Sequence, residues 1–211
     1  MKSQLSILIL LLISNISFSQ DKKELFYYYD LTEISKDKFT SLKSKDNYAL
    51  SYENENSIKT YLVEITTSGK FNFYLLETIK KYLVDLDQKT SFTQTNFIVI
   101  NYIDNDPSIH TEGYQVPWDV FTKDISKSFK KTDKVTHFYI INPDVKDLYY
   151  YHGNKLNLKT DKDHFIKDKF FPLKGLNGGF LIIDKDGNYV SYKGEYSTKD
   201  VFHKLKEMKE K

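Results

Sequence analysis

The chain has 211 residues, a net charge of +2, 28% charged and 16% aromatic side chains, and no cysteine. The aromatic content excludes a disordered chain, and the absence of cysteine excludes thiol catalysis, thiol redox chemistry and thiolate metal sites. Every basic side chain other than histidine is lysine, which lacks the planar fork that reads phosphate or guanine, so we do not expect a nucleic-acid binder.

The first residues have the layout of a secretory signal peptide. Lys2 precedes an apolar segment, Leu5–Ile13, which is followed by the polar segment Ser14–Gln20. The apolar segment is much shorter than the roughly 20 residues that span a bilayer, so we expect cleavage beside Gln20 rather than an uncleaved anchor. Residues 1–20 are therefore interpreted as a signal peptide. The mature protein is expected in the periplasm or outside the cell, with no membrane span.

Residues 21–56 are predicted to form an N-terminal extension that packs beside the main domain. Strands are expected at Leu25–Leu31 and Asn47–Tyr52 because both are rich in aromatic and apolar residues. Between them, Ser35 is expected to cap a short helix. The polar segment Glu53–Asn56 then separates this region from the rest of the chain.

Residues 57–211 alternate predicted strands with predicted helices. Strands are expected at Thr60–Ile65, Phe97–Ile103, Val135–Ile141, Gly179–Ile183 and Tyr189–Lys193. Helices are expected at Asn72–Leu86, Pro117–Lys130 and Asp161–Phe170, and after a cap at Ser197. Thr67–Gly69 is expected to be a turn, and Val145–Tyr151 is ambiguous, with an extra strand as one possibility.

Phe97–Ile103 is predicted to be the central strand. It is an almost unbroken apolar, β-branched run that stops at Asp104, which indicates a strand covered on both faces. Ligands of α/β sheets commonly bind in the loops that leave such strands at their carboxyl ends. We therefore place the candidate site in the loop from Asp104 to Pro117.

The predicted order from Thr60 is β-α-β-α-β-α-β-β-α, which indicates an α/β fold with a parallel sheet and an antiparallel hairpin at one edge. The hairpin turns at Asp184–Asn188, an acidic segment containing an Asp-Gly pair. This order, and above all the run GGFLIIDKDGNYVSYKGEYSTKDVFHKLKEM, resembles the thioredoxin-like fold of exported bacterial proteins related to the thiol–disulfide oxidoreductases. The resemblance covers about Ser57 to Lys211 and implies a three-layer sandwich with a mixed sheet.

The same resemblance implies that the redox activity of that family is absent here. The Cys-x-x-Cys pair of the family would fall near Asp106-Pro107-Ser108-Ile109, where serine cannot replace the thiol. The family's cis-proline before the fourth strand would fall at Asn177-Gly178-Gly179. Both signature features are missing, so the likeness predicts the fold without thiol–disulfide exchange.

The loop after the central strand holds the candidate binding residues, which are Asp104, Asp106, Ser108 and His110, with Glu112 close behind. Carboxylates and an imidazole could bind a hard or borderline metal ion. The interpretation we favour is a polar loop with a solvent-facing histidine. A nucleophile–base pair of Ser108 and His110 is not expected, because no orienting acid or oxyanion hole is evident. We expect no metal, no cofactor and no catalytic residue.

Other polar groups are expected to be structural. Asp184–Asn188 begins like a calcium loop but has its glycine at the wrong position, so a hairpin turn is expected. His137, His152, His164 and His203 show no metal-binding spacing. The tyrosine clusters Tyr27–Tyr29 and Tyr149–Tyr151 fit either a stacking platform for a sugar or peptide, or half-buried strand faces.

From the sequence we expect an exported, non-catalytic thioredoxin-like module that binds an envelope protein or a peptide. One alternative is an enzyme or a metal-binding protein that uses the Asp104–Glu112 loop. Another is a structural subunit of an envelope assembly.

Overall fold

The computed structural model describes residues 22–104, 124–145, 156–173 and 178–210. Within these ranges the protein is an α/β fold with two sheets. The strands are β1 (Lys23–Tyr28), β2 (Glu33–Ile34), β3 (Asn47–Glu53), β4 (Ser57–Glu64), β5 (Thr66–Lys70), β6 (Phe97–Ile103), β7 (Val135–Ile141), β8 (Leu158–Thr160), β9 (Gly179–Asp184) and β10 (Asn188–Lys193). The α-helices are α1 (Lys36–Leu42), α2 (Phe73–Leu86), α3 (Phe165–Phe170) and α4 (Thr198–Lys209).

The smaller sheet contains four strands in the order β2-β1-β4-β3, with β1 and β4 parallel and the other pairs antiparallel. The helix α1 begins where expected, because the Ser35 side chain accepts a hydrogen bond from the Lys38 N–H. Phe39 of this helix is buried against Phe26, with the ring centroids 5.0 Å apart.

The strand β4 corrects one prediction. Thr60–Ile65 was expected to open the main sheet, but β4 lies in the smaller sheet between β1 and β3. Asn54 explains the local preference, since its side-chain oxygen accepts hydrogen bonds from the N–H groups of Asn56 and Ser57 and closes a tight β3–β4 turn. Neighbouring strands joined by such a turn usually pair with each other. The expected boundary between residues 56 and 57 falls inside this hairpin.

The larger sheet contains six strands in the order β5-β10-β9-β6-β7-β8. The strands β6, β7 and β8 are parallel, and β9, β10 and β5 add antiparallel pairs. The expected turn at Thr67–Gly69 is wrong, because these residues belong to β5 and pair with β10. The closing hairpin β9–β10 therefore does not form the edge of the sheet, which is covered by β5.

Helices cover both faces of this sheet, as the central-strand prediction requires. Ile98, Ile100 and Tyr102 of β6 face the core formed with α2 and α3. Val99 and Ile103 face the opposite core, which is completed by Val201 and Leu205 of α4 and by other residues. Six of the seven β6 residues are completely buried or nearly so, which follows from the period-two alternation of a strand with an apolar layer on each side.

Several predicted elements are confirmed. The helix α2 begins after Asn72, whose side chain accepts from the Leu75 N–H. The β9–β10 turn is held by Asp184, which accepts from the N–H groups of Asp186 and Asn188. The helix α4 has the expected acidic cap, described below. Asp161–Phe170 is helical except at its start, where residues 162–164 form a 3₁₀ turn before α3.

The helix expected at Pro117–Lys130 is described only from residue 124, and there it is a 3₁₀ turn, Ile125–Ser128, rather than an α-helix. Of the ambiguous segment Val145–Tyr151, only Val145 lies within the described residues. In the described ranges the backbone has no cis peptide bond, and Gly178 has a φ of +117°.

Ile65 joins the two sheets. Its N–H donates to the carbonyl of Asp46 beside the smaller sheet, and its carbonyl accepts from the N–H of Lys193 in the larger sheet. Val63, completely buried, and Leu173, which follows α3, form a separate small core with several partly buried tyrosines packed against it. One residue of backbone thus separates the end of β4 from the start of β5. This brings the N-terminal region against one end of the main sheet.

Candidate functional site

Of the four residues predicted to form a site, only Asp104 is described. It is 7% exposed, and one of its carboxylate oxygens accepts a hydrogen bond from the Asn142 side chain at 2.8 Å. Asp106, Ser108 and His110 lie outside the described residues, as does Glu112. The structure therefore places the first predicted residue in a buried network at the end of β6 and leaves the others as predictions.

The parallel strands β6, β7 and β8 each end at a buried polar residue, Asp104, Asn142 and Asp161 respectively. Backbone bonds hold these ends in line, since Asn142 N–H donates to Ile103 and Asp161 N–H donates to Ile141. This is the end of an α/β sheet at which ligands usually bind. Here, however, the Asn142 side chain donates to Asp104, and the Asp161 carboxylate accepts from other buried groups.

Asp161 is the centre of a hydrogen-bond network at the carboxyl end of β8. Its carboxylate accepts from the hydroxyls of Tyr82 and Tyr102 and from the backbone N–H groups of Ile166 and Lys167 at the start of α3. Burial, together with the nearby Asp161 carboxylate, raises the pKa of both tyrosines, so their hydroxyls stay protonated and donate. A carboxylate with four donors is satisfied, and its role here is to join α2, β6 and α3.

Metal chemistry finds no support in the described part of the chain, where no group of three or more histidine and acidic side chains could hold an ion. The Asp184–Asn188 segment is a hairpin turn, as expected. The described histidines are dispersed: His137 is held by the Asn101 side chain, His164 approaches Asp144, and His203 pairs with Glu207.

A cavity of about 210 Å³ is lined by residues of β5 and β10 and by Tyr29 of the N-terminal region. The side chain of Lys193 from β10 lines this cavity, and the residue is only 3% exposed. Its Nζ donates to the Thr67 hydroxyl at 3.0 Å and lies 4.7 Å from the ring centroid of Tyr29. Within the described residues, no carboxylate forms an ion pair with it. A buried lysine without an acidic partner is rare in proteins, which makes this cavity a candidate binding site.

The buried position of Lys193 disfavours the protonated, charged form of its amine. Burial lowers the pKa of its amine to about 8, and the carboxylate of Glu64 opposes this effect from a distance. Near neutral pH the amine therefore still carries its proton in most molecules. An anion that entered the cavity would supply the missing partner charge and would stabilise the ammonium form.

Ser191 lies on the same wall of the cavity. It is 1% exposed, and its hydroxyl has no hydrogen-bond partner among the described residues. Tyr192 packs against the α4 core, and successive strand residues point to opposite faces, so Ser191 and Lys193 both point away from that core. An unpartnered buried hydroxyl normally costs about 1–3 kcal/mol, which a ligand accepting or donating a hydrogen bond there would recover.

Aromatic rings form the apolar side of the cavity. The rings of Phe71 and Tyr189 are stacked with their centroids 4.2 Å apart, and both line the cavity together with Leu75. Next to these along the chain, Phe73 and Tyr74 are 71% and 82% exposed. Large aromatic side chains exposed as a pair are unusual on a protein surface and often mark a contact site.

No local sequence pattern indicates this cavity directly. The strand Tyr189–Lys193 was predicted, and its alternation puts Tyr189, Ser191 and Lys193 on one face. Nothing local indicates that this face is covered, because the cover comes from Tyr29 and Thr67, which are distant in sequence. The only feature of the sequence that could have pointed to this cavity was Lys193, a lysine on the same strand face as Tyr189.

A second cavity, of about 330 Å³, opens at the amino-terminal end of β6 and β7. Three lysines line it, namely Lys80, Lys134 and Lys185. Lys80 and Lys185 already pair with Glu77 and Asp186. The positive charge of this cavity is thus largely neutralised by exposed neighbours, which makes it a weaker candidate than the Lys193 cavity.

Comparison with known proteins gives no relative: no family model, no curated protein and no solved structure matches the chain. Among the described residues, none of the helices has the length and apolar character needed to cross a membrane.

Proposed function

We propose that this protein is an exported thioredoxin-like module that binds a peptide or an unfolded segment of an envelope protein, and that it has no thiol redox activity. The export signal in residues 1–20 supports the location. The lack of any cysteine supports the second part, because disulfide exchange requires a thiolate on the protein.

The order of elements supports the thioredoxin-like part of the proposal. A parallel pair, β6 and β7, is followed by the antiparallel hairpin β9–β10, with helices on both faces of the sheet. Two features depart from the expected order. The strand β4 belongs to the smaller sheet, and β5 lies outside the hairpin.

The observation that carries the binding function is the Lys193 cavity. Among the described residues, the buried Lys193 ammonium has no carboxylate partner and the buried Ser191 hydroxyl has no hydrogen-bond partner, and both line one cavity with aromatic walls. Such a combination of apolar walls and a few polar groups is typical of ligand pockets. No group of three or more histidine and acidic side chains among the described residues could hold a catalytic metal, and binding is the function that this geometry supports best.

The test is retention of a random-sequence dodecapeptide pool on the immobilised full mature chain, measured by mass spectrometry of the eluted peptides. We expect a subset of peptides to be retained by the wild-type protein and to be depleted at least about tenfold on Lys193→Met, which removes the buried charge at similar side-chain volume. Lys206→Met is the matched control, because Lys206 is 75% exposed on α4 and should retain the same peptides as wild type. Equal retention by wild type and Lys193→Met would refute the proposal.

A further inference from the structure

The Lys193 cavity is small for a ligand pocket. At about 210 Å³ it lies below the range of roughly 300–1,000 Å³ that is usual for drug-sized ligands. A single amino-acid residue fits this size, whereas a folded partner or several residues of peptide do not. Any polypeptide ligand must therefore place one residue inside and the rest outside.

The polar groups of the cavity fit an anion. Lys169 and Lys193 both line it, and none of the described residues that line it is acidic. Lys193 lacks an ion pair and Ser191 lacks a hydrogen bond in the described part of the molecule, so together they offer an ammonium and a hydroxyl. A carboxylate has two oxygens and can accept from both groups at once.

The apolar walls indicate what accompanies the carboxylate. The stacked rings of Phe71 and Tyr189 and the side chain of Leu75 form an apolar surface in the same cavity as the polar groups of Ser191 and Lys193. A C-terminal residue carries its carboxylate and its side chain on the same carbon atom, so both can enter together. An internal acidic residue would need the chain to pass into and out of the same small opening.

The surface outside the cavity suits an extended chain. The exposed residues Phe73 and Tyr74 lie in the chain between Phe71 and Leu75, which line the cavity. The strand β5 also borders the cavity through Thr67, and in the described residues it pairs only with β10, which leaves its other edge open to a peptide backbone.

We propose that this cavity receives the C-terminal residue of a polypeptide, with the carboxylate held by Lys193 and Ser191 and an apolar side chain against Phe71 and Tyr189. The residues that precede it lie across Phe73 and Tyr74. This inference rests on the proposed peptide-binding function and adds the chemical class of the ligand.

The test uses fluorescein-labelled hexapeptides whose last two positions are Leu or Phe, made both as free acids and as C-terminal amides. Binding to the full mature chain is measured by fluorescence anisotropy. We expect the free acids to bind at least about tenfold more tightly than the amides, because the amide removes the charge that pairs with the ammonium. Lys193→Met should lower the affinity for the acids to that of the amides, and Ser191→Ala should lower it by a smaller factor, about threefold.

A control variant, a folding check and a small-molecule carboxylate complete the test. Lys206→Met should bind like wild type, and circular dichroism of each variant establishes that it is folded. The acid–amide comparison on wild-type protein needs no variant, so it stays decisive if Lys193→Met does not fold. 3-Phenylpropionate alone should bind much more weakly than the peptide acids, because it cannot reach Phe73 and Tyr74.

Equal affinities for acids and amides would overturn this inference, and so would 3-phenylpropionate binding as tightly as the peptides. Retention of the random dodecapeptide pool alongside either result would leave the proposed function standing. Failure of that pool to be retained would remove both.

Discussion

Gly178 brings two strands of the main sheet closer than any side chain would allow. Its φ is +117°, and a Cβ atom at this position would lie 2.1 Å from the carbonyl oxygen of Tyr102. The backbone before β9 therefore passes directly against the end of β6, where the predicted loop begins. The next residue, Gly179, is similarly confined by the carbonyl of Tyr192.

Replacing Gly178 should be costly. We expect Gly178→Ala to lower the free energy of unfolding by more than about 2 kcal/mol, since it combines a strained φ with a backbone clash. Urea denaturation followed by circular dichroism measures the change. Gly194→Ala is the control, because Gly194 has a φ of +101° but a Cβ there would meet nothing nearer than 3.5 Å. Equal losses for the two variants would show that the close approach to Tyr102 costs nothing.

His137 is held in a form that makes the fold sensitive to acid. Its Nε2 accepts from the Asn101 side chain at 2.6 Å, and Asn101 in turn accepts from the Tyr196 hydroxyl. Burial lowers the pKa of His137 to about 3, with Asp124 as the opposing charge. Protonation would set a new N–H against the donating amide, so the neutral imidazole is the form that the fold selects.

The pH dependence follows from the sign of this shift. The unfolded imidazole has a pKa of about 6.5, so between that pH and about 3 the unfolded chain binds more protons, and stability falls as the pH falls. Between pH 6 and 4 we expect wild-type stability to fall more steeply than that of His137→Gln, by up to about 1.4 kcal/mol per pH unit. Urea denaturation at each pH measures both slopes. His203→Gln, a change at an exposed position, should keep the wild-type slope, and parallel slopes for wild type and His137→Gln would contradict the account.

At the scale of elements, the start of α4 depends on one carboxylate. Asp200 accepts from both the backbone N–H and the hydroxyl of Ser197, each at 2.7 Å. These bonds satisfy a donor that the helix leaves open, and the negative charge lies favourably at the helix N-terminus. The helix positions Val201 and Leu205 in one of the two cores.

We expect Asp200→Ala to lower the free energy of unfolding by about 1 kcal/mol, the usual cost of losing a helix cap. Asp200→Asn should lie between this variant and wild type, because it keeps an acceptor oxygen but not the charge. Thermal or urea denaturation provides the measurement. The exposed neighbour change Lys199→Ala should have little effect, and an Asp200→Ala protein as stable as Lys199→Ala would argue against the cap.

Asp161 joins three elements, since its donors come from α2, β6 and the start of α3. We expect Asp161→Asn to lower the free energy of unfolding by about 2–4 kcal/mol, because the amide nitrogen would face donors and leave buried groups unsatisfied. Asp168→Asn, at an exposed position of α3, is the control. Similar urea midpoints for the two variants would mean that the buried carboxylate does not hold these elements together.

At the scale of the whole molecule, the two sheets are expected to unfold as one unit. Ile65 forms backbone hydrogen bonds with Asp46 beside the smaller sheet and with Lys193 of the larger sheet, and Val63 is completely buried in a core that includes Leu173. Far-ultraviolet circular dichroism and tyrosine fluorescence should therefore give coincident urea transitions. Val63→Ala should shift both transitions together, whereas separate transitions would show that the N-terminal region unfolds independently.

Local patterns were enough to predict much of this fold. The strand β6, the helix α2 after Asn72 and the β9–β10 hairpin all follow from periodicity, caps and turn residues within a few positions. The location of β4 and β5 could not be predicted in the same way. Both segments are strand-like, and their partners are chosen by contacts with β1, β3 and β10, which depend on the folded chain.

The sequence by itself determined that thiol chemistry is absent, that β6 is buried on both faces, and that the chain alternates helices and strands. These properties depend only on which side chains are present and on their spacing. Only the tertiary structure decided that the Asp161 carboxylate joins α2, β6 and α3, and that Lys193 lines a cavity without an acidic partner among the described residues. Both outcomes depend on residues distant in the chain, and the burial they create changes what a carboxylate or an amine can do.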